Sequence, residues 1–408
     1  MTTGPARRPD DGAGERVRRA WEVFQASLLL GLTSFGGPIA HLGHFERVYV
    51  RQHRWLSGEN YAGLVALCQV LPGPASSQVG FLLGLHRAGW AGALAAWLGF
   101  TLPSALLMYA CATLSAQAQG PLAQAAVHGL KLVAVAVVAQ AAWSMARRLC
   151  PDRPTAAIAL LVLALLLTVG GTSMQLAALA AGGLAGVLWC GRGQTAAAHL
   201  PIRIHPACAW TALGLFVLLL IALPALASRS PHSLVALAAV FYRAGALVFG
   251  GGHVVLPLLR DALVPGGWIS DDHFLTGYGL AQALPGPLFT LAAYLGAAGN
   301  YVQLPALSSA IAVICIFLPG LLIAVAGASL WSSLARHAWL RAAIVGINAA
   351  VVGILAAALY DPVWTTAVHG GTDAAIATVG FILLQRWKAP VLAIVALCVG
   401  ASVVSAFA

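Results

Sequence analysis

Four short runs of glycine and proline interrupt otherwise apolar sequence: Gly36-Gly37-Pro38, Pro72-Gly73-Pro74, Gly250-Gly251-Gly252 and Pro285-Gly286-Pro287. Proline lacks a backbone donor and glycine permits a sharp turn, so each run ends one helix and begins another. Pro38, Pro74 and Pro287 suit the first positions of the new helix. The first N–H groups of a helix are unpaired and carry partial positive charge, which makes such a start an anion site. Ser76, Ser77 and Thr290 fall in the first turn after a break, where their hydroxyls add donors. Gln69 and Gln282 stand just before the two proline runs, where an amide either meets a ligand or satisfies a freed carbonyl.

A few ionisable or polar groups lie inside apolar segments, where such groups are functional candidates by default. Lys131 follows Gly129, and Asn348 stands two residues after Gly346 at the corresponding place in the second half of the chain. A cation from one half and an amide from the other suit an anion held between them; snorkelling of Lys131, or a carbonyl partner for it, is the alternative. Arg243 lies about two turns before Gly250 and can neutralise an anionic substrate. His41 and His253 follow the two glycine breaks closely and are the candidates for proton coupling.

The elements that must carry these groups follow from composition. Of 408 residues, 60% are hydrophobic and 8% are Asp, Glu, Lys or Arg, against about 25% charged in a soluble domain. With a mean hydropathy of +0.87, the chain reads as an all-α polytopic membrane protein in contact with the lipid bilayer. Thirteen apolar segments are expected, at about 21–43, 61–85, 88–116, 121–145, 155–170, 173–190, 207–227, 233–257, 274–298, 304–330, 338–360, 372–385 and 390–408. The net charge of +10 does not indicate nucleic acid, because the basic residues sit in an N-terminal arm and in short loops, the pattern of cytoplasmic loops. The seven cysteines are scattered without a CxxC pair, and the twelve histidines show no HxxxH or HExxH spacing, so neither a metal site nor a cofactor is expected. Trp55 and Trp268 are read as anchors at the membrane surface.

The chain repeats itself. Phe35-Gly36-Gly37 recurs as Phe249-Gly250-Gly251, Trp55-Leu56-Ser57 as Trp268-Ile269-Ser270, and Gln69 to Pro74 as Gln282 to Pro287, at offsets of 213 to 214. Leu102-Pro103 then matches Leu318-Pro319, and Gly129 to Trp143 matches Gly346 to Tyr360, in the same order. The organisation expected is a disordered basic arm over 1–20, an N-terminal repeat over 21–206, a linking helix over 207–230 and a C-terminal repeat over 231–408. Basic loops in one copy, such as that with Arg47, Arg51 and Arg54, correspond to acidic loops in the other, such as that with Asp261, Asp271 and Asp272. Such a swap of charge is expected of inverted-topology repeats. If the first two segments of each copy are re-entrant hairpins, 18 of the 22 basic residues fall on the side of the N-terminus.

The set of motifs, Phe35-Gly36-Gly37-Pro38 with His41, Trp55-Leu56-Ser57, Gln69 to Pro74 and their second copies, resembles the chromate ion transporter family, in its long two-domain form. The resemblance implies a secondary active transporter that exports chromate from the bacterial cytoplasm, driven by membrane potential or proton gradient, with sulfate as the natural competitor. It also implies a multi-pass protein of the bacterial inner membrane with a cytoplasmic N-terminus; a homodimer stays open. From the residues alone the ligand is a small anion. An anion channel of the same architecture is the alternative. No haem-ligand, flavin or CxxC pattern points to an enzyme.

Overall fold

In the computed structural model, the residues described are 13–35, 37–115, 120–169, 171–190, 202, 204–230, 233–249, 251–299, 304–334 and 337–407, and among them the secondary structure is entirely helical. The first copy comprises α1 (Ala13–Thr33), α2 (Gly37–Phe45, extended by a wider turn to Gln52), α3 (Gly58–Val70), α4 (Ala75–Ser115), α5 (Pro121–Leu149), α6 (Arg153–Thr168) and α7 (Thr172–Trp189). Helix α8 (Pro206–Ala227) follows. The second copy comprises α9 (Leu234–Leu247), α10 (Val255–Leu263), α11 (Asp271–Ala283), α12 (Leu291–Ala298), α13 (Pro305–Leu334), α14 (Ala338–Ala358), the single turn α15 (Thr365–Ala367), α16 (Gly371–Arg386) and α17 (Val391–Phe407).

One expectation changes at the start of the chain. Residues 13–20, expected to be part of a disordered arm, form the first turns of α1, because Glu15 pairs with Arg18 at 2.8 Å and with Arg19 at 3.1 Å along one helix face. Residues 1–12 of that arm lie outside the described residues.

Helix lengths single out the elements long enough to cross a bilayer on their own. Segments Pro121–Leu149, Pro206–Ala227, Pro305–Leu330 and Ala338–Ala367 are long and apolar enough to cross a bilayer, and so is the stretch Ala75–Leu114. That last stretch is two helices: Ala88 and Gly89 leave helical geometry, with Gly89 at φ +67°. Gly84 and Gly92, equally spaced about this turn, pack backbone to backbone, so the chain folds back on itself there. The arms that lead into the two proline breaks are short. α3 and α11 have 13 residues each, or about 20 Å at 1.5 Å per residue, against a hydrocarbon core of about 30 Å. Gly277 on α11 packs against the ring of Tyr294 on α12, the two lying nine residues before and eight residues after Gly286. These arms therefore lie antiparallel, as a hairpin whose tip is Pro285-Gly286-Pro287.

The two copies are interlocked rather than side by side. α5 of the first copy packs on α16 and α17 of the second, while α14 of the second packs on α6 and α7 of the first. Small residues make both crossings possible: a Cβ on Gly129 would lie 2.5 Å from Val399 Cα, and one on Gly346 would strike the Gly182 carbonyl. The exchange is reciprocal, as a pseudo-twofold relation between copies requires. α8 belongs to neither exchange.

Candidate functional site

The breaks meet through matching hydrogen bonds. The N–H of Gly73, at the tip of the α3–α4 hairpin, donates to the Val248 carbonyl at 2.7 Å, at the break after α9. In the second copy the N–H of Gly286 donates to the Ser34 carbonyl at 2.9 Å, at the break after α1. Each tip thus seats on the opposite copy's first break. Both glycines have positive φ, +115° and +101°, a region costly for any residue with a Cβ. Packing adds a second reason for glycine. A Cβ on Gly73 would lie 2.7 Å from Gly320 Cα, and one on Gly286 would lie 2.7 Å from Ser104 Cβ.

Beside the Gly286 tip lies a cavity of about 20 Å³, lined by Gly37 of the first copy and by His253, Gln282, Gly286, Leu288 and Val391 of the second, among others. It has room for about one water molecule and is smaller than a tetrahedral oxyanion. Its walls come from both copies and contain no carboxylate. Gln282 Nε2 is buried with no hydrogen-bond partner among the described residues. The same is true of Ser34 Oγ, Ser77 Oγ and both ring nitrogens of His41, a ring 1% exposed that packs edge-on against Phe100. Leaving a buried polar group unpaired costs about 1–3 kcal/mol. Buried groups of this kind beside the breaks mark a region whose polar capacity the protein does not itself fill. His253 is held by Tyr278, its Nδ1 lying 2.6 Å from the phenol oxygen.

Several residues singled out in the sequence are placed differently. Gly36 and Gly250 lie outside the described residues. Gly37 lines the cavity at φ +76°, with Pro38 next to it in the first turn of α2. Gly251 adopts φ +153°, and Gly252 is buried beside Leu288. Pro72, Pro74, Pro285 and Pro287 flank the two tips. Ser76 is buried in the first turn of α4. The Thr290 hydroxyl is already engaged, 2.8 Å from the Pro287 carbonyl and 2.6 Å from Ser104 Oγ. Gln69 is exposed, unlike its counterpart Gln282. Lys131 is buried in α5, and its ammonium lies 2.5 Å from the Asp272 carboxylate in the first turn of α11. Asn348 Oδ1 is buried without a partner among the described residues. Arg243 lines a different cavity of about 220 Å³, between α7, α8, α9 and α10, with mainly apolar walls that include Leu176, Leu258 and Trp268. Trp268 is 8% exposed, so it packs inside the protein rather than anchoring a surface. Trp55 is half-buried, stacked on Tyr49 with Arg87 above its ring.

Gln78 makes a tie at the first tip that the repeat pattern hides. Its amide donates to the Pro72 carbonyl at 2.8 Å and to the Gly320 carbonyl at 2.9 Å. It thereby satisfies backbone freed by one break and ties the tip to α13. The role considered for Gln69 belongs to Gln78, one turn beyond Pro74. Because the matching position in the second copy is Leu291, comparing the copies could not reveal it.

Charge is divided between the copies. Asp261, Asp271 and Asp272 gather near the α10–α11 connection, where Arg260 bonds Asp271 through two nitrogens at 2.9 and 3.1 Å and Gln175 donates to Asp261 at 2.7 Å. The corresponding segment of the first copy exposes Arg47, Arg51 and Arg54. At the loop before α6, the Thr155 hydroxyl and backbone N–H bond Asp152 and hold its carboxyl below the usual carboxylate range.

Broken helices, small-residue crossings and interlocked copies define a multi-pass membrane protein with a polar centre, the architecture of a two-repeat transporter. The chain belongs to the chromate transporter family, which matches residues 21–187 and again 235–403. The interval between the two matches contains α8. The chain is similar to the chromate transport protein of Pseudomonas aeruginosa, at 28% identity over 90% of this chain and 87% of that protein. It is likewise similar to the probable chromate transport protein of Synechococcus elongatus, at 28% identity over 83% of each. A third relative is the chromate transport protein of Cupriavidus metallidurans, at 26% identity over 81% of this chain and 80% of that one. No solved structure is significantly similar to this chain.

Proposed function

We propose that this protein is a carrier that exports chromate across the bacterial inner membrane, binding the oxyanion at the centre where the four breaks meet. The observation that carries this reading is the reciprocal seating of Gly73 on Val248 and Gly286 on Ser34, which joins the breaks of one copy to those of the other. Gln282 Nε2 and the Ser34 and Ser77 hydroxyls, buried and without a hydrogen-bond partner among the described residues, are the direct donors. Gly37, Gly73, Gly251 and Gly286 let backbone approach the anion. His41 and His253 are the proton-coupling candidates, and the membrane potential or the proton gradient supplies the energy. Sulfate, a tetrahedral dianion of similar size, competes.

A cavity of about 20 Å³ corresponds to a closed state, and relative movement of the hairpins opens it to either side. The inverted arrangement sets the basic Arg47–Arg54 loop on the cytoplasmic side with the N-terminus, where it draws anions in. The acidic Asp261–Asp272 face is outside and disfavours their return.

The test is chromate flux into and out of proteoliposomes. Saturable flux that responds to an imposed potential or pH gradient, with sulfate competing, is the expected result, and Gln282→Leu removes most of it while the protein still inserts. Passive, non-saturating flux would replace the carrier by a channel. Normal flux in Gln282→Leu would move the binding place elsewhere. Single-cysteine labelling at residues 44–60 and 259–273 tests the inversion, since opposite-face accessibility is required.

A further inference from the structure

Outside the central site, one cluster of metal-ligating side chains has no role in the transport reading. His128 lies in the second turn of α5, His369 just before α16 and Asp373 in the first turn of α16. The donor atoms of these three residues all lie within 4.8 Å of one another. His128 Nε2 is 2.9 Å from Asp373 Oδ1, and the rings of His128 and His369 stack with centroids 5.4 Å apart at an interplanar angle of 15°. The other carboxylate oxygen of Asp373 accepts the His369 backbone N–H at 2.9 Å, so the carboxylate is held with Oδ1 turned toward the two imidazoles. An outer hydrogen bond that orients a ligating carboxylate is a regular feature of metal sites.

We propose that His128, His369 and Asp373 form a binding site for a divalent transition metal of the zinc class. Two imidazoles and one carboxylate are a three-ligand set that zinc accepts with an open fourth position for water. Tetrahedral ligation at about 2.0–2.2 Å sets donor atoms roughly 3.3–3.6 Å apart. His128 and Asp373 already stand near that spacing. The exposed His369 ring closes the remainder by rotating about its side-chain bonds. Binding displaces the proton shared between His128 Nε2 and Asp373 Oδ1. The site joins the two copies, since α5 belongs to the first and α16 to the second, so a bound ion clamps one of the two exchanged helix contacts. No spacing along the chain announces it: His128 and Asp373 are 245 residues apart.

The experiment uses full-length protein in detergent, purified through a tag without histidine and stripped with a chelator. Zinc is added as the chloride, with calorimetry and thermal unfolding as readouts. One zinc per chain with an upward shift in Tm is expected. His128→Ala, His369→Ala and Asp373→Asn each weaken binding by about 10–100-fold or more and abolish the shift. His53→Ala, on the exposed loop after α2, binds as the parent does. If His128→Ala unfolds without metal, His369→Ala, a change at an exposed side chain, decides the matter. The proposal is overturned if the parent shows no saturable zinc binding below about 1 mM, or if His369→Ala binds as tightly as the parent.

Discussion

Gly286→Ala isolates the cost of disturbing one hairpin tip. At φ +101° an alanine carries backbone strain of about 1–2 kcal/mol. Its Cβ would also lie 2.7 Å from Ser104 Cβ and 3.2 Å from Ser104 Oγ, an overpacking cost of about 1–3 kcal/mol. The sum is about 2–5 kcal/mol. An unfolding entropy of about 2.1 cal/mol/K per residue over 408 residues gives a Tm decrease of about 2–6 °C. The clash is with a side chain and can be removed. Ser104→Gly deletes the obstructing atoms, so the double variant recovers the overpacking share, about 1–3 kcal/mol, as a coupling in a double-mutant cycle. Ser104→Ala keeps the Cβ and recovers little. The matching change in the first copy, Gly73→Ala, meets the Gly320 Cα, backbone that no substitution removes, so no partner change at Gly320 rescues it. The assay is thermal unfolding in detergent, with proteoliposome flux beside it. A Gly286→Ala protein as stable as the parent, or zero coupling with Ser104→Gly, would refute the seating of the tip described above.

Two other outcomes follow from the charge map. Asp272→Asn leaves the Lys131 ammonium buried without its carboxylate; because the Asp272 side chain is 67% exposed, the cost is discounted to about 1–2 kcal/mol. Lys131→Met removes the buried charge itself and lowers Tm by less, so the order of the two midpoints is the check. Asp152 caps α6 by accepting from the Thr155 N–H at 3.0 Å, and Asp152→Ala costs about 1 kcal/mol at neutral pH. Its folded carboxyl titrates below its unfolded value. The contribution is therefore complete above the unfolded value, near pH 4, and fades as pH falls through the folded one. Midpoints of the parent and variant should converge at acid pH and stay apart at pH 7.

Much of the fold was legible because it is local. Apolar blocks declare themselves by composition, and proline and glycine break a helix whatever surrounds them. The four breaks therefore fall where the glycine and proline runs stand inside the predicted segments 21–43, 61–85, 233–257 and 274–298, and the turn at Ala88–Gly89 falls at the boundary between two predicted segments. The duplication was legible because five motifs recur in order. Residues 13–20 were misread because polar composition alone conceals the Glu15 pairs with Arg18 and Arg19 that make a helix turn.

The tertiary structure alone decided how the copies engage. Pattern within one copy cannot say that α5 packs on α16 and α17 rather than on α6 and α7, because the same small-residue faces serve either partner. The packing of α5 on α11 carries Lys131 to Asp272, 141 residues away. The packing of α5 on α16 brings His128 to Asp373, and that of α4 on α13 gives Gln78, unmatched in the repeat, the Gly320 carbonyl. The physical reason is that helix formation and helix breaking depend on neighbours a few residues away. A side chain's partner across the interior depends on which helix crosses it, and only the folded whole specifies that.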